Sequence, residues 1–264
     1  MSATLNKKQP LLQLMQVSIS PKKSPAKLLV NQVSFEIEPG KTTCVVGESG
    51  SGKSLTALSI MGLLSKQLQL NSGKILFNDH ENGLQDLSLL DSSALQKIRG
   101  RKIAMIFQEP MTSLNPVLTV GYQIGESLTA HLGLKGDTLN SRVASLLEMV
   151  GIPAGRANSY PDELSGGQRQ RVMIAMSIAC EPQLLIADEP TTALDVTVQA
   201  QILKLLHELK TRMNMGMLFI THDFGVVADI ADNVVVMFRG EIVESGAKED
   251  VLNHPQHPYT QALL

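Results

Sequence analysis

The chain reads Thr42-Thr43-Cys44-Val45-Val46-Gly47-Glu48-Ser49-Gly50-Ser51-Gly52-Lys53-Ser54 where a short β-branched run meets a glycine-rich loop. Gly47, Gly52, Lys53 and Ser54 fill the pattern G-x-x-x-x-G-K-[ST], and a helical stretch follows. Glycines let successive backbone N–H groups turn toward one anion, and the start of a helix adds partial positive charge. Strand, loop and helix in this order indicate a nucleotide-phosphate site.

The residues of this loop have separate candidate roles in holding a nucleoside triphosphate. Lys53 would reach the β- and γ-phosphates, and the Ser54 hydroxyl would ligate Mg²⁺. An accidental glycine turn is the alternative, but average residue usage gives the pattern a chance of roughly one per cent in a chain of this length. The candidate nucleotide contacts are Gly47, Glu48, Ser49, Gly50, Ser51, Gly52, Lys53, Ser54 and Leu55.

Composition places the chain among globular proteins and disfavours a nucleic-acid partner. Of its 264 residues 43% are hydrophobic, and the formal net charge is −2. This near-neutral balance offers no electrostatic case for nucleic acid, and an aromatic content of 3% without Trp leaves few stacking platforms. No apolar run approaches the roughly 18 residues that a membrane span needs, so a membrane role would come through a partner.

The two cysteines, Cys44 and Cys180, lie in apolar runs without metal-ligand spacing. Both are expected to be buried, reduced thiols. Together with the lack of a recognisable signal peptide, this favours the cytoplasm.

Short apolar segments alternate with helical ones and predict a mainly parallel sheet covered on both faces. From Thr119 to Val150 the hydrophobic period is helical, and no strand signal appears between Gln108 and Gln183, which predicts a helical insert in an α/β chain. The basic run Arg99, Arg101 and Lys102 is expected to be solvated surface. Strands are predicted at residues 11–20, 28–38, 42–46, 73–78, 103–107, 184–187, 217–221 and 233–238, and helices at 55–64, 92–98, 172–179, 196–213 and 224–230.

Three further groups follow predicted strands directly, as the glycine-rich loop follows Val46. They are Gln108, the pair Asp188-Glu189, and His222. Because the carboxyl ends of parallel strands meet at one edge of a sheet, these side chains are expected to surround a single pocket. Asp188 suits the acid that holds Mg²⁺ beside a phosphate loop, and Glu189 could polarise an attacking water.

Gln108 and His222 are weaker candidates when each is taken alone. Gln108 could ligate Mg²⁺ or orient water, and a plain polar residue at a strand end is its alternative. His222 could donate a hydrogen bond to a γ-phosphate oxygen, although a lone histidine is more often structural. Their places in the series of strand ends favour the functional interpretation.

A second anion-binding device is predicted at Leu164-Ser165-Gly166-Gly167-Gln168-Arg169-Gln170-Arg171. Ser165 as an N-cap ahead of two glycines predicts a helix whose first amides are exposed. An ordinary capped helix is the alternative, but two phosphate-binding devices in one chain of this size call for a common explanation.

Taken in order, these motifs resemble ABC transporter ATP-binding subunits. Residues 164–168 match the LSGGQ signature, which stands after Gln108 and before Asp188-Glu189, Ala193-Leu194-Asp195 and His222. Residues 107–116 and 257–264 are similar to the dipeptide/oligopeptide/nickel importer branch. Residues 214–222 resemble the first half of tandem ATPases of peptide and microcin C importers. The resemblance covers nearly the whole chain.

The resemblance implies an α/β P-loop NTPase (RecA-like) fold, with a mainly parallel sheet, an antiparallel β edge and an inserted helical subdomain. It implies one ABC ATPase domain over residues 1–264, with a nucleotide-binding core at 1–108 and 182–264 and a helical signature subdomain at 109–181. The implied cofactors are ATP and Mg²⁺. Glu189, His222 and Gln108 would be catalytic, and Ser54, Gln108 and Asp188 would hold the metal.

The resemblance also implies partners. Two nucleotide-binding domains would pair head to tail. The second domain would be another copy of this chain, a paralogue or the other half of a tandem protein. ATP on one phosphate loop would then meet residues of the other domain, which are Ser165, Gly166, Gly167, Gln168 and the interface residue Asp195. Integral membrane permease subunits would dock on the helical insert at the cytoplasmic face of the membrane. An extracytoplasmic solute-binding protein would act indirectly, and no nucleic acid is expected.

Peptides or peptide-like solutes are the expected cargo, with a nickel or metal-chelate importer as the alternative. A soluble ABC ATPase without a permease is a further alternative. A GTPase is disfavoured because the chain lacks an N-K-x-D pattern. The family usually stacks adenine on an aromatic residue in the first strand region. The nearest match here is Ile19, so a weaker adenine contact or apolar packing alone is expected.

Overall fold

Two separate β-sheets organise the computed structural model, which describes residues 9–108, 113–192 and 194–264. The strands in this part of the chain are β1 (Leu12–Pro21), β2 (Val30–Ile37), β3 (Thr42–Val46), β4 (Leu68–Asp79), β5 (Gly83–Asp86), β6 (Ile103–Ile106), β7 (Leu184–Asp188), β8 (Gly216–Thr221), β9 (Asn233–Phe238) and β10 (Glu241–Ala247). The helices are α1 (Lys53–Ile60), α2 (Ser92–Ile98), α3 (Val120–Leu132), α4 (Gly136–Met149), α5 (Gly166–Ile178), α6 (Val196–Met213), α7 (Phe224–Ile230), α8 (Lys248–Asn253) and α9 (Pro258–Leu263).

The larger sheet has six strands in the order β10-β9-β3-β8-β7-β6. Its strands are parallel except for β10, which pairs antiparallel with β9 at one edge. This confirms the predicted P-loop fold with a mainly parallel sheet. The smaller sheet is antiparallel, in the order β2-β1-β4-β5. The antiparallel strands therefore form a second layer as well as an edge.

Two hydrophobic cores lie on opposite faces of the larger sheet, because successive side chains of a strand point in opposite directions. In β7, Leu185 and Ala187 join one core, while Leu184 and Ile186 join the other. The first core contains the apolar faces of α3, α4 and α5. The second core lies between the larger sheet and the smaller one. Every residue of β3, β7 and β8 is buried, which explains why apolar residues dominate these strands and polar residues stand only at their ends.

The part of the helical insert that the structure describes contains no strand between β6 and β7, as predicted. Its boundary at residues 109–181 stays a prediction, because residues 109–112 lie outside the described part of the chain. Cys44 and Cys180 are buried and free, as expected. Within the described residues, no helix combines the length and the apolar content that crossing a bilayer requires.

Helix α1 ends at Ile60, earlier than the predicted residue 64. The Met61 amide caps the helix on the Ala57 carbonyl, and Gly62 follows at φ +60°. This left-handed conformation favours glycine and turns the chain out of the helix. The sequence pattern also missed β5 and β10, which are half-exposed and rich in polar residues.

The prediction of a solvated surface holds for Arg101, whose side chain is 45% exposed, but it is wrong for Lys102. Lys102 is buried, and its ammonium lies 3.4 Å from the Asp79 carboxylate and 2.7 Å from that of Glu81. Arg99 donates to the carbonyls of Met61 and Gly62 at 2.7 and 2.8 Å. These cations hold the β4–β5 hairpin and the end of α1 against β6, and Lys102 in particular compensates a buried carboxylate.

Candidate active site

The register of the larger sheet brings the predicted site residues to one edge. Val46, the last residue of β3, pairs with Thr221 of β8 and with Val236 of β9. Asp188 of β7 pairs with Ile220, and Ile106 of β6 pairs with Ala187. The loops that carry the phosphate pattern, Gln108, Glu189 and His222 therefore leave neighbouring strands at the same level.

The glycine-rich loop after β3 passes very close to β9. A β-carbon on Gly47 would lie 2.1 Å from the Met237 carbonyl oxygen, so only glycine fits. Gly52 precedes α1 with φ +101°, a left-handed conformation that tightens the turn into the helix. The Ser51 hydroxyl is buried inside this loop and has no hydrogen-bond partner in the described chain. These features leave a cradle that a polar ligand can fill.

Lys53 is held by the loop that it belongs to. Its ammonium donates to the carbonyls of Gly47 at 2.7 Å and of Glu48 at 2.9 Å, and the residue is 5% exposed. Burial lowers the pKa of Lys53, while the nearby carboxylates of Glu189 and Asp188 oppose that shift. A phosphate would offer this ammonium a stronger partner than the two neutral carbonyls.

Ser54 and Asp188 form the candidate metal position. The Ser54 hydroxyl at the start of α1 donates to the Asp188 carboxylate at 3.0 Å. Burial raises the pKa of Asp188, and the negative charge of Glu189 raises it further. The hydrogen bond from Ser54 and the positive charge of Lys53 lower it, but by less than burial raises it. A hydroxyl and a buried carboxylate side by side are hard oxygen ligands of the kind that Mg²⁺ prefers, so these residues fit the ion.

The Glu189 carboxylate contacts the other predicted residues at the strand ends, Gln108 and His222. It accepts hydrogen bonds from the Gln108 amide and from the Thr192 hydroxyl, both at 3.0 Å. His222 Nδ1 lies 3.4 Å from its second oxygen. Glu189 adopts φ +47°, which is unfavourable for a residue with a β-carbon, and its amide donates to the Ile220 carbonyl at 3.0 Å. The carboxylate is thus held in one orientation, and strain at such a position is typical of functional sites.

Sequence reasoning missed Thr192 as a member of this group. Its amide donates to the Glu189 carbonyl at 3.2 Å, which forms a turn and brings the Thr192 hydroxyl back to the Glu189 side chain. A hydroxyl residue three positions after the glutamate is the signal that could have found it.

The signature residues lie in a different pocket. Ser165 caps α5 by accepting from the Gln168 amide at 3.3 Å, and the Gln168 side chain accepts from the Ser165 amide at 3.0 Å. Asp195 caps α6 and lines the same pocket of about 330 Å³ together with Gly166 and Gly167. In the described chain, no hydrogen bond or ion pair joins residues 165–168 to the glycine-rich loop at 47–54.

The remaining predicted contacts differ in exposure. Glu48, Ser49 and Gly50 are exposed on the loop, whereas Leu55 is half-buried in α1. Ile19 is 0% exposed and belongs to the core beneath the smaller sheet. The Ile19 side chain therefore faces the core, and the weaker or purely apolar adenine contact stays a prediction.

Comparison with known proteins decides the family. The sequence profile described as ABC transporter matches residues 30–192, which include the loop, Gln108, the signature and the Asp188-Glu189 pair. The chain belongs to the ABC transporter family. It is therefore an ATP-binding-cassette ATPase.

Curated relatives are identical to this ABC ATPase at about half of the aligned positions. A putative peptide import ATP-binding protein of Brucella ovis is 54% identical over 89% of this chain and 70% of its own length. A peptidoglycan transport ATP-binding protein of Agrobacterium fabrum is 54% identical over 97% of this chain and 47% of its own length. A glutathione import ATP-binding protein of Salmonella typhimurium is 52% identical over 89% of this chain and 38% of its own length.

Solved structures confirm the fold of this ABC ATPase. A dimeric ATP-binding cassette in a post-hydrolysis state, bound to ADP and Pi, is 28% identical with a TM-score of 0.77, over 90% of this chain and 98% of that one. A component of an ABC transporter complex from Clostridium perfringens is 26% identical with a TM-score of 0.78, over 94% and 92% of the two chains.

Proposed function

We propose that this ABC ATPase uses ATP hydrolysis around Glu189 to drive the import of peptides or peptide-like solutes through a membrane permease. The observation that carries the catalytic part is the Glu189 carboxylate. Gln108, Thr192 and His222 hold it, and it follows directly on Asp188 of the Ser54–Asp188 pair. The names of the curated relatives refer to peptide import, glutathione import and peptidoglycan transport, which supports the cargo class and favours peptides over nickel.

The glycine-rich loop would bind the triphosphate. The start of α1 favours negative charge, and Lys53 would exchange the Gly47 and Glu48 carbonyls for phosphate oxygens. Ser54, Asp188 and Gln108 would hold Mg²⁺, which neutralises charge on the phosphate oxygens when it is bound.

Glu189 would act as the general base for the attacking water. The water oxygen attacks the γ-phosphorus, its proton passes to the Glu189 carboxylate, and the bond to the β-phosphate oxygen breaks to release ADP. His222 is 62% exposed at the pocket mouth, and it would donate to the γ-phosphate while remaining close to Glu189. Gln108 holds the carboxylate in place and would orient the water.

A second nucleotide-binding domain would complete the site. The Ser165 hydroxyl and the first amides of α5 form an anion-binding helix start, but they line another pocket than Glu189 and His222 do. Another copy or a paralogous domain, arranged head to tail, would place its signature against the γ-phosphate. The dimeric assembly of the solved cassette bound to ADP and Pi supports this arrangement.

The permease would dock on the helical insert. A groove of about 750 Å³ runs between α3, α4 and the turn at 154–158. Tyr122 on its wall is 57% exposed, and Leu139 and Val143 supply an apolar floor. A short helix of the permease would fit such a groove. This contact would hold the ATPase at the cytoplasmic face, with a solute-binding protein on the other side of the membrane.

Transport in proteoliposomes tests the proposal. Vesicles would contain the permease subunits that co-purify with this chain, with the ATPase and ATP enclosed and the solute-binding protein and a labelled peptide outside. Peptide uptake is expected with the wild-type chain and not with Glu189→Gln. Equal uptake with both chains would overturn the catalytic assignment, and ATP-driven uptake of nickel without peptide uptake would overturn the cargo assignment.

A further inference from the structure

The last helix of the described chain reaches the glycine-rich loop. The Tyr259 hydroxyl in α9 accepts a hydrogen bond from the Glu48 amide at 3.0 Å, although 211 positions separate the two residues in the sequence. Glu48 directly follows Gly47 in the phosphate pattern. A side chain outside the motif is therefore in contact with its backbone.

Tyr259 is held firmly from two directions. Its ring lies on Phe238 at the end of β9, with ring centroids 4.3 Å apart, and its amide donates to His257 Nδ1 at 3.1 Å. The Glu244 carboxylate of β10 accepts from the amides of Gln256 at 2.7 Å and His257 at 3.1 Å. Strands β9 and β10 thus fix the hydroxyl in position before any ligand arrives.

The backbone N–H and carbonyl groups of Glu48 both form hydrogen bonds to side chains. Its N–H donates to Tyr259, and its carbonyl accepts from the Lys53 ammonium at 2.9 Å. If Lys53 moves to the phosphates on binding, the carbonyl loses that partner and the Tyr259 contact stays. The same loop is tied at its other side, where the Gly240 amide donates to the Ser51 carbonyl at 3.0 Å.

We propose that Tyr259 is a positioning residue that preshapes the glycine-rich loop for the triphosphate. Without its hydroxyl, the Glu48 peptide is free to rotate once Lys53 leaves. Part of the binding free energy of ATP is then spent on ordering the loop. This inference rests on the proposed role of that loop in binding ATP, and it adds a contact from the C-terminal segment to it.

Tyr259→Phe is the direct test, because it removes the hydroxyl and keeps the ring on Phe238. One neutral hydrogen bond corresponds to roughly a threefold to tenfold change in equilibrium. We expect the KM for ATP and the inhibition constant of tripolyphosphate, a probe of the loop alone, to rise by about that factor. We expect kcat to stay within about twofold, because the Glu189 group is untouched.

Two controls separate the possible outcomes. Tyr160→Phe removes the hydroxyl of another half-exposed tyrosine and should leave KM and kcat unchanged. Lys53→Ala should abolish tripolyphosphate binding as measured directly by calorimetry. If Lys53→Ala binds tripolyphosphate as well as the wild type, the proposed role of the loop fails. If Lys53→Ala loses binding but Tyr259→Phe matches the wild type, only the inference about Tyr259 fails.

Hydrogen exchange of the Glu48 amide gives a second, independent measurement. It should be slow in the wild type and faster in Tyr259→Phe, with the amides of β3 unchanged. Equal exchange in both proteins would overturn the inference, as would a fall in kcat and thermal stability without a change in KM.

Discussion

Replacing Glu189 with glutamine separates catalysis from binding, because glutamine has nearly the same shape and cannot accept the proton. One Glu189 oxygen accepts from both Gln108 and Thr192 at 3.0 Å, and the other lies 3.4 Å from His222 Nδ1. The amide oxygen of glutamine can take the first position. Its NH₂ group can take the second and donate to an unprotonated Nδ1. All three contacts therefore survive in Glu189→Gln.

The expected loss falls on the chemical step. A positioned general base contributes about 10²- to 10⁴-fold, which corresponds to about 2.7 to 5.4 kcal/mol in the activation barrier. Because the contacts of the side chain persist, we expect the free energy of unfolding to change by less than about 1 kcal/mol. ATP affinity should change less than tenfold, because Lys53, Ser54 and the loop amides are untouched.

The assay is steady-state phosphate release with and without the substitution, together with ATP binding and size-exclusion chromatography in ATP and Mg²⁺. The variant should bind ATP, release phosphate about 10²- to 10⁴-fold more slowly and accumulate as an ATP-bound dimer. Glu208→Gln is the matched control, since Glu208 is exposed on α6 and lies 4.0 Å from Lys204. Turnover in Glu189→Gln equal to that of Glu208→Gln would refute the role of the base.

Three further substitutions test other parts of the account. Ser165→Arg should abolish turnover and leave nucleotide binding by the monomer intact, and equal loss of both would argue against a composite site. Asp188→Asn should raise the thermal stability of the ligand-free protein at neutral pH and abolish Mg²⁺-dependent turnover. Burial raises the pKa of Asp188 above its ordinary value of 3.8, so the ionised carboxylate destabilises the folded state at pH values above the raised pKa. This penalty disappears below pH 3.8, where the carboxyl is protonated in both the folded and the unfolded state. A lower melting temperature for Asp188→Asn than for the wild type at neutral pH would contradict this prediction. Lys102→Ala should cost about 1.5 to 3 kcal/mol in urea unfolding, because buried Asp79 loses its cation and keeps only the hydrogen bonds from Gln183, Asn82 and the Glu81 amide. Lys204→Ala on exposed α6 should cost about 0.5 kcal/mol or less, and similar values for the two variants would show that the buried Lys102 ion pair adds no stability beyond a surface one.

The sequence predicted which residues form the site better than it predicted the contacts that hold them in place. The phosphate pattern and the residues after β6, β7 and β8 were predictable, because a parallel sheet puts strand ends at one edge and each residue type suits a task there. The capping of α5 by Ser165 was also predictable, because serine is a preferred N-cap residue and the preference depends only on the neighbouring sequence.

Contacts between distant segments were not predictable in this way. Lys102 looks like part of a surface charge run until β4 and β5 bring Asp79 and Glu81 against it. Tyr259 shows no sign in the sequence of its contact with Glu48, because that contact depends on how α9 packs on β9. Ile19 has the period of a strand residue, and only the second sheet shows that it faces the core.

The central claim is that each chain lacks half of a working site and obtains it from a second domain. The most direct measurement is turnover per chain over a dilution series, with the oligomeric state determined by sedimentation at every concentration. We expect turnover per chain to fall with the dimer fraction and to vanish for monomers that still bind ATP. Constant turnover per chain in samples that sediment as monomers would contradict the claim.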